Sequence, residues 1–169
     1  MCFECYHALV DPFWCPINYI DDGIYLGNQE AAVSEELIKE NNIEAICVCG
    51  KNLQTAFEGS LQYKKYSIGD VSTEKISHLF EENNKWIDEM KKEGRNILIH
   101  CAGGVSRSVS FTIAYFMQKH KKSFQEAFLW VKKKRLCAQP NEGFVQQLLE
   151  FEKTLSAWSK GLILLLITI

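Results

Sequence analysis

The sequence predicts one α/β domain, with a buried, largely parallel sheet of four to five strands flanked by helices. Three observations carry that expectation. Short runs at 24–26, 43–49, 62–68 and 96–100 read as strands and alternate with longer segments whose apolar residues recur at helical spacing. Residues 43–49 are apolar nearly throughout, as in a strand covered on both faces. Residues 107–119 are also almost continuously apolar, which marks a helix buried in the core rather than lying on it. Strands interleaved with helices need crossover connections, and those make parallel sheets.

The elements follow in order. The strand at 24–26 leads to Asn28, an N-cap for a helix running to about Lys39. Strands at 43–49 and 62–68 come next. Thr73 is expected to cap a long helix carrying Ile76, Leu79, Phe80, Trp86, Ile87 and Met90, with Gly94 as its stop. The strand at 96–100 delivers the chain into a glycine-rich loop, and the buried helix follows. Ser123 and Glu126 form a capping box for another helix. Asn141 caps a last helix with Phe144, Leu148, Leu149 and Phe151 on its apolar face.

With 169 residues, 47% hydrophobic and 24% charged, the chain suits a single core. A net charge of −2 argues against a nucleic-acid partner. The seven cysteines make no disulfide framework, and a reducing cytosolic or nuclear compartment is expected. No signal peptide is read at the N-terminus, and Cys2 and Cys5 are taken as free thiols, since no second ligand pair follows. The apolar run 162–169 is too short to cross a bilayer and is expected to pack on the domain or on a partner. The basic stretches 119–122 and 132–135 are read as solvated helix ends. The oligomeric state is left open.

The chemistry concentrates in HCAGGVSRS, residues 100–108, between strand and helix. The first N–H groups of a helix lack internal partners and carry partial positive charge, so this junction attracts anions. Gly103 and Gly104 let the backbone curl so that the N–H groups of Ala102 to Ser106 line a phosphate cradle. Arg107 can clamp the phosphate with a planar fork. In the same field the Cys101 thiol loses its proton more easily, and a thiolate beneath a phosphate is placed for in-line attack. Ser108 can donate to the sulfur as it leaves again. The loop lacks the Gly-Lys-Ser/Thr ending of nucleotide-binding loops.

This string resembles the signature of dual-specificity protein phosphatases, a branch of the cysteine-based protein tyrosine phosphatase superfamily. IYLGNQEAA (24–32), YSIGD (66–70), AYFM (114–117) and QPNEGFVQQL (139–148) extend the resemblance over residues 17–155. It implies a tyrosine-phosphatase-like catalytic domain at 17–155, an N-terminal extension at 1–16 and an apolar tail at 156–169. It also implies Cys101 as nucleophile, Arg107 as phosphate clamp, Asp70 as general acid and Ser108 as the hydroxyl that assists the second step. Asn141 would brace the loop and His100 would tune the cysteine. Cys49 matches the second cysteine that tensin-type relatives pair with their nucleophile. No metal or cofactor enters this scheme.

The inner loop positions Ala102, Gly103, Gly104, Val105 and Ser106 add no charge. That favours a phosphorylated Tyr, Ser or Thr on a protein over phosphoinositides or RNA 5′ ends. A catalytically dead phospho-binding scaffold is the remaining alternative. It is disfavoured because Cys101, Arg107 and Asp70 are all present.

Overall fold

The computed structural model describes residues 15–167, with side chains through Ala157. The Cys2–Cys5 pair and the side chains of the 162–169 run lie outside the described residues. The elements are β1 (Ile17–Asp21), β2 (Ile24–Gly27), α1 (Gln29–Val33), α2 (Glu35–Glu40), β3 (Ile43–Cys49) and β4 (Gln62–Tyr66). A 3-10 turn (Ser77–Leu79) then precedes α3 (Phe80–Lys92), β5 (Asn96–His100), α4 (Arg107–His120), α5 (Phe124–Lys134) and α6 (Glu142–Ile167).

The five strands form one sheet in the order β1-β2-β5-β3-β4, parallel except for β1, which pairs antiparallel with β2. Alternate residues of β3 and β5 serve two apolar layers. Ala45, Cys47, Cys49, Ile97 and Ile99 face the cluster built with α3 to α6, while Ile46, Val48 and Leu98 face the smaller one built with α1 and α2. Burial on both faces is why these strands lack polar alternation. The larger layer is cemented by aromatic rings, with Phe80 edge-on to Phe111 at 5.6 Å and to Phe151 at 5.3 Å. Helix α4 runs through this layer, buried from Ser108 to Met117.

Several expectations shift. β1 was absent from the strands read at 24–100; its pattern INYID is short and half polar because one edge of the strand faces solvent. The helix expected from Asn28 to Lys39 breaks at Ser34, which caps α2 by accepting from the Leu37 N–H at 3.3 Å. Asn28 does cap α1, through its Oδ1 and the Ala31 N–H at 3.0 Å. Thr73 caps nothing: residues 71–74 make a turn, and the α-helix begins only at Phe80. The capping box of Ser123 and Glu126 is present, and Asn141 Oδ1 accepts from the Phe144 N–H at 3.0 Å at the start of α6. The backbone of α6 stays helical through Ile167. Among the described residues no helix is long and apolar enough to cross a membrane.

Candidate active site

β5 is the central strand, and its C-terminal end opens directly into the 101–106 loop and then the N-terminus of α4. Ligands of open α/β sheets bind at this end of the strands. The loop's carbonyls are turned outward and held by the frame around them. Ala102 O accepts from the Gln29 N–H at 3.0 Å and Val105 O from the Gln139 N–H at 2.7 Å. Gly104 O accepts from Arg135 Nε at 2.7 Å and Gly103 O from Arg135 Nη2 at 3.4 Å. A peptide with its carbonyl pinned outward presents its N–H inward, which is how a cradle for an anion is made. Gly104 has φ +65°, and a Cβ there would overlap the Gly27 carbonyl.

Cys101 lies at the floor and is buried. Its Sγ accepts from the Gly104 N–H at 3.2 Å and from Ser108 Oγ at 3.3 Å. Burial alone would raise its pKa. The hydroxyl and N–H of Ser108, the Arg107 charge and the Val105 N–H outweigh that, and the thiol is held below its ordinary value. His100 is fully buried just before it, with Nδ1 at 3.3 Å from Cys101 O. Burial, with the Arg107 charge adding, pushes its pKa down to about 4, so the ring is neutral.

The other predicted residues converge on the same place. Asp70, beyond the end of β4, accepts at Oδ1 from Ser106 Oγ (2.7 Å) and from Asn141 Nδ2 (2.9 Å). Its Oδ2 stands 3.4 Å from Arg107 Nε. Arg107 also reaches toward Ile68 O at 3.5 Å, and a Cβ on Gly50 would press against the guanidinium. Ser106 starts α4 without using its side chain as a cap; its hydroxyl instead joins Asp70 to the Asn141 N–H, at 3.1 Å. Asn141 therefore braces the loop and Asp70 together. For Cys49, the ladder ends with Val48 opposite His100, the residues just before the two cysteines, and Cys49 is close enough to feel the Cys101 charge. Burial, then Cys47 at 3.7 Å, pushes the Cys49 thiol up.

Two residues of the site escaped sequence reading. Arg135 was grouped with Lys132–Lys134 as part of a solvated helix end, yet it is only 2% exposed. Its guanidinium spans the two loop carbonyls, Cys15 O (3.0 Å) and Asn18 Oδ1 (2.6 Å). The second is Gln147, which grips the segment after Asp70. An arginine at the end of a lysine run carries no local sign of burial, because its partners come from residues 15–18 and 103–104.

Residues 24–154 match the family described as "Dual specificity phosphatase, catalytic domain". The chain belongs to the dual-specificity phosphatase family. It is 36% identical over 138 residues to dual specificity protein phosphatase 1 of Arabidopsis thaliana, covering 82% of this chain and 70% of that one. It is 41% identical over 146 residues to MAP kinase phosphatase with leucine-rich repeats protein 1 of Dictyostelium discoideum, covering 85% of this chain but only 17% of that longer protein. Among solved structures, a human tyrosine phosphatase-like serine/threonine/tyrosine-interacting protein superposes with a TM-score of 0.79 at 30% identity, over 82% of this chain and 96% of that one.

Proposed function

We propose that this chain hydrolyses phosphotyrosine and phosphoserine or phosphothreonine on proteins through a phosphocysteine intermediate, in a reducing cytosolic or nuclear compartment. The observation that carries this reading is the buried Cys101 sulfur, which accepts from Gly104 N–H and Ser108 Oγ at the floor of a loop whose carbonyls are held outward, with Asp70 and Arg107 beside it. The N–H groups of Ala102 to Ser106 and the Arg107 fork take the phosphoryl oxygens, and Arg107 leaves its ion pair with Asp70 to do so. The thiolate attacks phosphorus as the substrate P–O bond breaks, and Asp70, which takes up a proton from solvent once Arg107 has left it, gives that proton to the departing oxygen. Asp70, now a carboxylate, takes a proton from water as that water attacks the phosphocysteine. Ser108 donates to the leaving thiolate. The neutral lining from Ala102 to Ser106 supports a monophosphorylated side chain over a polyanionic head group.

The test separates nucleophile from acid. Cys101→Ser should abolish turnover of an aryl phosphate while vanadate still binds, because the cradle is backbone. Wild type should show a bell-shaped pH profile in kcat/KM. Asp70→Asn should flatten its basic limb and cost roughly 10²–10⁴-fold with a poor leaving group, the usual worth of a general acid. Asp88, held by Tyr115 and Lys119, and Asp22, paired with Lys91, are controls whose Asn variants should keep the limb. An unchanged basic limb in Asp70→Asn with a poor leaving group would remove Asp70 from this role.

A further inference from the structure

We infer that Gln147 is a positioning residue for proton transfer by Asp70: it clamps the backbone of the acid-bearing segment 70–77 onto α6. The inference rests on the Asp70 assignment above and adds the part that keeps the acid in place during the reaction.

The Gln147 amide is spent entirely on this task. Its Oε1 accepts from two successive backbone donors, the N–H groups of Ile76 (2.8 Å) and Ser77 (3.0 Å). Its Nε2 donates to Glu74 O (2.9 Å) and to Gly143 O on its own helix (3.1 Å). Both lone pairs and both protons are used, so the amide cannot turn over without setting donor against donor. The side chain is buried, and losing it would strand backbone groups away from water.

α6 thus grips the segment at two places. Asn141 holds Asp70 itself, and Gln147, about 9 Å further along the helix axis, holds residues 74–77. Between them the segment lies flush on Gly143, where any Cβ would collide with the Ser72 carbonyl. The helix predicted from Thr73 fails to start for the same reason: the N–H groups of Ile76 and Ser77 go to Gln147 instead of opening a helix.

The two grips differ in when they are available. The contacts of Asp70 with Ser106, Asn141 and Arg107 are made through the carboxylate that must move a proton, and Arg107 is drawn to the phosphoryl group. These side-chain contacts are loosened in the reacting complex. The bonds of Gln147 are to backbone, involve no reacting atom and persist throughout. They carry the placement of Asp70 when its own contacts are released.

The experiment is a double-mutant cycle on the full chain, read across aryl phosphates from activated to poor leaving groups. Gln147→Met keeps the volume and removes the hydrogen bonds; unchanged vanadate affinity reports that the cradle stays intact, and the urea midpoint, which should fall as backbone groups are stranded, fixes conditions under which the domain is still folded. Expected is a loss in kcat/KM on the order of tenfold for the poorest leaving group, less than that for losing the acid outright. With the most activated ester the loss should stay within about twofold. In the Asp70→Asn background, Gln147→Met should add nothing further, because it acts only through Asp70. An equal loss at every leaving group, or a loss that persists without Asp70, assigns Gln147 to general stability and overturns the proposal. No loss overturns it as well. If Asp70→Asn itself shows no leaving-group dependence, the acid assignment falls and this proposal falls with it. A dependence seen in Asp70→Asn but absent from Gln147→Met sinks the positioning role alone.

Discussion

Replacing Arg135 by methionine should loosen both the fold and the phosphate cradle, by amounts the structure allows to be worked out. Four hydrogen bonds leave the guanidinium, three of them to backbone carbonyls at Cys15, Gly103 and Gly104. Methionine fills similar volume but strands those carbonyls. At about 1 kcal/mol each, the low end for an unsatisfied buried acceptor, the loss is about 3 kcal/mol. A lysine offers one ammonium in place of a fork and can reach only part of the set, so Arg135→Lys should recover less than half. The second consequence is at the site. With Gly103 and Gly104 no longer pinned, either peptide can turn its carbonyl inward, removing a donor from the cradle and opposing the anion. One lost hydrogen bond of about 1.4 kcal/mol is tenfold in affinity. Urea unfolding reads the first effect and vanadate inhibition the second. The rate of Cys101 alkylation against pH gives an independent reading, and its midpoint should move up as the thiolate loses support. Wild-type vanadate affinity together with an unmoved alkylation midpoint in Arg135→Met would refute the claim that Arg135 shapes the cradle.

Two further outcomes are expected. His100 is neutral in the fold, with its pKa held at about 4 by burial, against about 6.5 when unfolded. As pH falls the unfolded chain takes up the proton first, so stability is full above about 6.5 and drains away toward 4, by about 3 kcal/mol in all. Urea midpoints measured across that window should fall more steeply for wild type than for His100→Gln, and equal slopes would remove His100 as the cause. Mild peroxide should convert the Cys101 thiolate to a sulfenic acid, and Cys49, its neighbour just past the end of the ladder, should condense with it to a disulfide and water. Strands about 4.8 Å apart fall within disulfide reach, although the raised Cys49 pKa makes that step slow. Peptide mapping that finds only Cys101 sulfinic acid would exclude the pairing.

The fold was legible wherever one segment declared its own environment. β3 is apolar apart from Glu44, and β5 from Ile97 to Ile99, because both faces are covered. α4 lacks a polar stripe because it passes through the larger core layer, and Ser123 with Glu126 closes a cap from residues three apart. What could not be read depended on partners distant in sequence. β1 needs β2 to complete its ladder, since five residues alternating Ile, Asn, Tyr, Ile and Asp make a weak signal alone. Ser34 is a sound cap by type, but the helical spacing of 29–39 runs across it. Thr73 has the right chemistry for a cap and sits before a helical pattern. Gln147, seventy residues on, claims the N–H groups that would have started that helix.

The same division runs through the site. Residues 100–108 reveal themselves because Cys101, Gly103, Gly104, Arg107 and Ser108 fall within one nine-residue string, and a strand-to-helix junction imposes its electrostatics on whatever occupies it. Asp70 and Asn141 could be assigned only through the resemblance to known phosphatases. A loop aspartate after a glycine and an asparagine before a helix are ordinary turn and cap chemistry. The structure supplies the physical reason they belong together: one hydroxyl, Ser106 Oγ, donates to Asp70 and accepts from the Asn141 N–H. Arg135 and Gln147 had no such route to recognition. Each spends most of its hydrogen bonds on the backbone of a distant segment. Arg135 holds the carbonyls of Gly103 and Gly104, and Gln147 holds the segment 74–77 that follows Asp70. The curl of the 101–106 loop is mostly backbone, and an N–H group is placed only by whatever holds its neighbouring carbonyl. Specifying such a site therefore requires side chains on other elements, which is why its supports are scattered through the chain while its reacting groups cluster.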